Sequence, residues 1–459
     1  MILFQGNKST VFSVFKSYLN KGHERSINLK KNILATFIMR LLSIAISLVM
    51  VPMTLGYVNP VQYGIWITLS SIVGWLGYFD IGFGNGLRNR FAESVALDEN
   101  RMAKVYVSTT YAIMFFIILF LITVILILNP HLNWSVILNA PGNMRPQLAD
   151  LALIVIVFFC FQLLLQLLAT VLTANQQPAK ASLLTLIANA VTLLSIFILT
   201  KTTSGNLIYL GIAISAPPVI VLLISSLWFY THRYAQFSPS ISYIDLRYVP
   251  NLMGLGIKFF ILQIATLVLY QTSNLIIAQL FGSENVTIYN IAFKYFNIIP
   301  MVMLIVMMPM WSAFTDAWTR KELDWITKTI RKLNYLWGIL GVVVLIMLAF
   351  SDFVYKIWIG DEIKVPFGVS LALSLSIIIN IGAYIYSIFL NGTGIIKLQL
   401  ILAIFGMAVF IPSAVFLGKR IGLPGVILST IIVNTLNLIF FLIQYKKIIN
   451  SSASGIWSK

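Results

Sequence analysis

The sequence predicts an all-α polytopic membrane protein of about 12 transmembrane helices, in two six-helix lobes with both termini cytoplasmic. Three observations carry that expectation: the composition, the placement of the cations and an internal repeat. Of 459 residues, 59% are hydrophobic and 10% are charged, against about 25% charged in soluble domains. Mean hydropathy is +0.92. No single stretch is responsible, because apolar runs of spanning length, about 20 residues, recur from Asn32 to Tyr445.

Taken in order, runs bounded by charges and turn residues mark spans near 33–55, 62–80, 105–128, 149–173, 181–200 and 207–230. Six more lie near 256–281, 287–310, 333–351, 367–390, 398–417 and 424–445. Residues 1–31 are polar and basic, with no apolar segment leading to a small-residue cleavage site. They read as a cytoplasmic arm, amphipathic over Val11–Leu19 and suited to lie on membrane lipid. With the amino terminus inside, the inner segments hold 23 of the 31 Lys and Arg. The outer segments hold six: Arg145, Lys201, Lys356, Lys364, Lys419 and Arg420. That asymmetry is the positive-inside rule.

The same rule accounts for the net charge of +17, which in a soluble protein would suggest nucleic acid. No nucleic-acid partner is expected. The single cysteine, Cys160, lies inside LALIVIVFFCFQLLL and excludes an internal disulfide framework or a CxxC centre. His23, His131 and His232 are far apart, so no metal centre is expected.

The turn after the first span, LGYVNPVQYGIW (55–66), and the turn after the seventh, FGSENVTIYNIA (281–292), share four residues at a shift of 226. That shift lays Gly56, Asn59, Tyr63 and Ile65 on Gly282, Asn285, Tyr289 and Ile291. Two halves that both begin inside make a parallel repeat, an architecture common in transporters, whose sites lie where the halves meet. The expected organisation is therefore an arm (1–31), a first lobe (32–230), a cytoplasmic linker (231–255), a second lobe (256–445) and a tail (446–459).

Two cations fall within spans: Arg40 in the first and Lys294 in the eighth. A charge in the bilayer interior normally faces a polar cavity and marks function. Arg40 lies nine residues beyond Lys31, roughly 13 Å deep at 1.5 Å per residue, further than a side chain snorkels with ease. Its helical face carries Thr36, Ser43 and Ser47; that of Lys294 carries Thr287, Asn290 and Asn297. Span seven adds Gln263, Thr266, Tyr270, Ser273 and Asn274. Hydrogen bonding between helices would explain the neutral residues equally well. A cavity with cations and few acids suits an anionic substrate. Asp80, at the inner end of span two, is the candidate for coupling to a proton or sodium gradient.

The segment YFDIGFGNGLRNRFAES (78–94) looks at first like a phosphate cradle. Its glycines, at 82, 84 and 86, do not have the GxGxxG spacing, and an apolar span rather than a strand precedes them. It reads as the inner exit of span two, where Arg88 and Arg90 fix topology and form a cytoplasmic entrance for an anionic headgroup.

The paired turns and this segment resemble Wzx-type oligosaccharide-lipid flippases of the multidrug/oligosaccharidyl-lipid/polysaccharide (MOP) exporter superfamily, over about residues 30 to 445. The resemblance implies a V-shaped, MATE-like fold lined by spans one, two, seven and eight, working by alternating access. It implies a multi-pass protein of the bacterial inner membrane, moving a polyprenyl-pyrophosphate-linked O-antigen, capsule or exopolysaccharide unit to the periplasmic leaflet. Arg40 and Lys294 would then bind the pyrophosphate, and Gln263, Tyr270, Asn274, Asn290 and Asn297 the sugars. Polysaccharide polymerase machinery is the expected protein partner, with no cofactor and no catalytic residue. Two alternatives are a cation-coupled multidrug exporter of the same superfamily and a membrane polymerase or glycosyltransferase. The first would favour buried carboxylates, which the spans lack; the second would want acid–base residues in an organised loop.

Overall fold

A computed structural model of the protein describes residues 24–80, 82–253, 264, 267–269 and 271–458. Among them every regular element is helical. The first half contains α1 (Glu24–Tyr57), α2 (Pro60–Leu76), α3 (Phe83–Ala96), α4 (Asn100–Leu128), α5 (Arg145–Leu165), α6 (Leu167–Ala174), α7 (Pro178–Thr202) and α8 (Leu207–Thr231). The second contains α9 (Thr272–Phe281), α10 (Ser283–Phe296), α11 (Ile298–Thr319), α12 (Leu323–Ala349), α13 (Ser351–Ile359), α14 (Phe367–Thr393), α15 (Lys397–Ile421) and α16 (Leu423–Ile449).

Nine helical stretches among the described residues are long and apolar enough to cross a membrane, with α5 and α6 counted together. The pair α10–α11, bent by 42°, makes a tenth. At the two other expected positions stand α2, of 17 residues, and the stretch Leu267–Phe281, both shorter than that criterion. The chain is a multi-pass membrane protein. Large apolar side chains face outward at helical spacing, as Phe116 and Phe120 do on α4 and Ile220, Ile224 and Leu227 on α8. In lipid such a stripe costs nothing to expose.

Turn chemistry places the helix starts. Asn59 caps α2 by accepting the Gln62 N–H at 2.8 Å, with Pro60 as the first helical residue. Asn206 caps α8 by accepting from Ile208 and Tyr209. In the second half Gly282 and Gly422 hold these places with φ of 88° and 82°, values that glycine adopts without strain.

The repeat is visible in backbone detail. The Glu99 N–H donates to Ser94 O at 2.8 Å and the Glu322 N–H to Ala317 O at 2.8 Å. Asp98 and Lys321 both sit in left-handed conformations, at φ 58° and 60°. These pairs are 223 residues apart (322 less 99), as are the starts of α2 and α10 (283 less 60). The register expected from the sequence, 226, is therefore three residues too long. A slip of three residues turns a helix by only about 60° from its original face at 3.6 residues per turn, so the apolar pattern survives it. At a shift of 223 the counterpart of Lys294 is Ser71, whereas a shift of 226 would make it Thr68.

Within the first half α1 packs on α7, α7 on α8 and α8 on α5; within the second α14 packs on α16 and α11, and α15 on α16. The halves meet where α2 lies against α9 and α10. Residues 234–252 run along the ends of α3 and α4, held by Phe237 edge-on to Phe91 at 4.9 Å and Tyr248 to Tyr106 at 5.5 Å. Asp245 N–H donates to Thr109 Oγ1 at 3.0 Å, and Asn175 Nδ2 to Tyr234 OH at 2.8 Å. Gly86 lies directly beneath the Leu252 backbone, where any Cβ would collide with the carbonyl. The glycines of YFDIGFGNGLRNRFAES thus serve this contact and the left-handed start of α3 at Gly82 (φ 84°).

Candidate functional site

The site is the seam between the halves. Near the turn 57–60, the Thr287 hydroxyl of α10 donates to Pro60 O at 2.6 Å. Gly64 of α2 sits against the Ser283 backbone so closely that no Cβ could be accommodated. The connection after α4 reaches across from the first half: Asn139 Nδ2 donates to Ala278 O at 2.7 Å, and Gln279 Nε2 reaches Val136 O and Ile137 O at 2.9 and 2.8 Å. Ser283 Oγ donates to Leu138 O at 3.2 Å. The cation asymmetry leads one to expect this side to be the outer one, and here the two halves are in contact.

Further along the seam lie the predicted polar residues. Lys294, half-buried, donates through Nζ to Tyr63 OH at 3.2 Å and lies 5.8 Å from that ring's centre. A phenol, not a carboxylate, receives this ammonium. One turn past Lys294, Asn297 is half-buried at the 42° break between α10 and α11. Asn290 Nδ2 donates to Asn274 Oδ1 at 2.8 Å, and Asn274 Nδ2 donates to Ser71 Oγ at 2.8 Å. All three side chains are buried, so this chain of bonds ties α2, α9 and α10 together.

On α1, Arg40, Thr36 and Ser43 are half-buried and Ser47 is exposed. Thr36 Oγ1 is buried without a hydrogen-bond partner among the described residues, a polar atom beside Arg40 with capacity to spare. Gln263, Thr266 and Tyr270 lie outside the described residues, as does the 11–19 segment of the arm. Asp80 accepts the Gly84 N–H at 2.8 Å through Oδ1, so it caps the start of α3. Arg90 is committed to Glu93 at 2.8 Å and to Asn251 O at 3.3 Å, whereas Arg88 is exposed. No metal-ligand cluster occurs among the described residues.

The structure thus brings together Lys294, Asn274 and Asn290, and adds Tyr63 and Ser71. Neither stands out in the sequence, although at a shift of 223 Ser71 is the counterpart of Lys294.

Residues 29–314 match the model of a family described as polysaccharide biosynthesis protein. The chain belongs to that family. This family member is 21% identical over 366 residues to a protein of Yersinia pseudotuberculosis named for O-antigen export, covering 78% of this chain and 82% of that one. Its fold is that of MOP transporters. It matches an inward-facing multidrug resistance MATE transporter with a TM-score of 0.75 at 14% identity, over 92% of this chain and 98% of that one. The outward-facing conformation of a MATE transporter matches with a TM-score of 0.65 at 13% identity, covering 95% and 98%. A Pyrococcus furiosus MOP transporter, described as having a binding pocket of reversed polarity, also scores 0.65 at 15% identity, covering 96% and 98%. The family match and the MOP-type fold are those that the resemblance to Wzx-type flippases implied.

Proposed function

We propose that the protein carries a polyprenyl-pyrophosphate-linked oligosaccharide from the cytoplasmic to the periplasmic leaflet of the bacterial inner membrane by alternating access. One observation carries this reading: the ammonium of Lys294 stands at the seam, half-buried and held by a neutral phenol. Placing a cation there is costly, and an anionic headgroup entering the seam would offset that cost. Arg40, on the other half and nearer the cytoplasmic end of its helix, would meet the pyrophosphate first. The Ser71–Asn274–Asn290 chain would release its hydroxyl and amide groups to sugars as the outer side parts. Arg88 supplies exposed positive charge at the entrance. No covalent step is required, so the protein is read as a carrier and not an enzyme.

A MATE-like fold also favours a second reading, export of cationic drugs. The two readings differ in the sign of the cargo. In proteoliposomes, the flippase reading expects translocation of a pyrophosphate-linked oligosaccharide lipid and no gradient-driven efflux of a cationic dye. Dye efflux without lipid translocation would replace it with the exporter reading.

A further inference from the structure

Pro52 lies inside α1. Proline has no N–H, so the carbonyl four residues before it, that of Leu48, has no intrahelical donor. In a membrane helix an orphaned carbonyl must find a partner or be hydrated. Its partner comes from the other half of the molecule: Trp358 Nε1 donates to Leu48 O at 2.9 Å.

Trp358 stands on α13, a short helix between α12 and α14. That helix is fixed within its own half, with Tyr355 OH bonded to Ser370 Oγ at 3.0 Å. The Tyr355 ring also lies edge-on to Tyr295 of α10 at 5.4 Å. α13 packs on α1 by way of a donor matched to the one carbonyl that Pro52 frees.

We propose that Trp358 is a positioning residue for α1. It holds the helix that carries Arg40 against the half that carries Lys294, and stabilises the closed outer side, through the carbonyl that Pro52 leaves open. When the halves part on that side the bond breaks, and the carbonyl is left to water in the outer mouth. This device follows from backbone chemistry and does not depend on the identity of the cargo.

The test is a double-mutant cycle in which Trp358→Phe removes the donor and keeps an aromatic ring, while Pro52→Ala restores the N–H and satisfies Leu48 within α1. Spin labels at Ser204 and Glu362, one on each half near the outer turns, report the closed-to-open ratio in the full-length protein in nanodiscs, with Cys160→Ala. Trp358→Phe is expected to lower that ratio about threefold to tenfold. In the Pro52→Ala background the same change is expected to do nothing. An unchanged ratio with Pro52 present, or the same shift in both backgrounds, overturns the proposal. A second measurement leaves position 358 intact. By 15N NMR, the Trp358 indole proton should exchange with deuterium faster in Pro52→Ala than in the unchanged protein, and equal rates would also overturn it.

Discussion

Lys294 and Asn274 show two ways in which a polar side chain can be kept inside a membrane protein. The ammonium of Lys294 is solvated by a phenol hydroxyl and ring, so its charge remains available to an incoming anion. The amide of Asn274 is spent in both directions, on Ser71 and Asn290. Removing it leaves one of the two Asn290 amide protons unpaired in a buried position, the other being held by Val286 O at 2.9 Å. Asn274→Ala should therefore cost about 1–3 kcal/mol, seen as a lower melting temperature in detergent without cargo. An unchanged melting temperature would mean that the three side chains are not load-sharing in the closed state and serve only the cargo. Asp80 illustrates the opposite outcome for a predicted site residue. Its carboxylate caps α3 through Oδ1, so a proton or ion bound there would act directly on the start of that helix.

At the scale of elements, the α3–linker contact is set by one missing side chain. Gly86→Val would push β-branched bulk into the Leu252 carbonyl, and overpacking of this kind costs about 1–3 kcal/mol. Hydrogen exchange across residues 234–252 should accelerate in that variant while α14–α16 stay protected; unchanged protection of the linker would contradict the contact. The helices themselves were legible because apolar runs between charges are a strong signal. The register of the repeat was not. A three-residue slip preserves apolar pattern, and it takes the turn geometry at Asp98 and Lys321 and the starts of α2 and α10 to distinguish the two alignments. Lys294, Asn274 and Asn290 were legible as polar residues where lipid should be. Tyr63 and Ser71 were not, because a tyrosine near a helix start and a serine in a span are ordinary until their partners across the seam are known. The bond between Trp358 and Leu48 joins residues 310 apart, beyond any local pattern.

For the molecule as a whole, the seam closes near the turn 57–60, the side expected to be outer, through backbone-close packing at Gly64 and a row of hydrogen bonds from Thr287 to Asn139. Small residues permit such approach between membrane helices, and interhelical bonds of this kind contribute about 0.6 kcal/mol each, weak enough to break and remake. Gly64→Val should hold the halves apart there. Labels at Ser204 and Glu362 should then report a mainly open outer side, and a distribution like that of the unchanged protein would contradict the closure described. A transporter so held should bind its cargo from the outside and fail to turn over.

Central to the proposed transport is a cationic path for an anionic headgroup, shared between Arg40 on one half and Lys294 on the other. The direct measurement is the initial rate of translocation of a polyprenyl-pyrophosphate oligosaccharide in proteoliposomes for Arg40→Ala and Lys294→Ala, beside Arg40→Lys and Lys294→Arg. Each neutral substitution should lower the rate by about tenfold or more, as expected for loss of a charge-assisted contact, while the charge-retaining variants keep most of it. Neutral variants that insert normally and translocate at the unaltered rate would contradict that path.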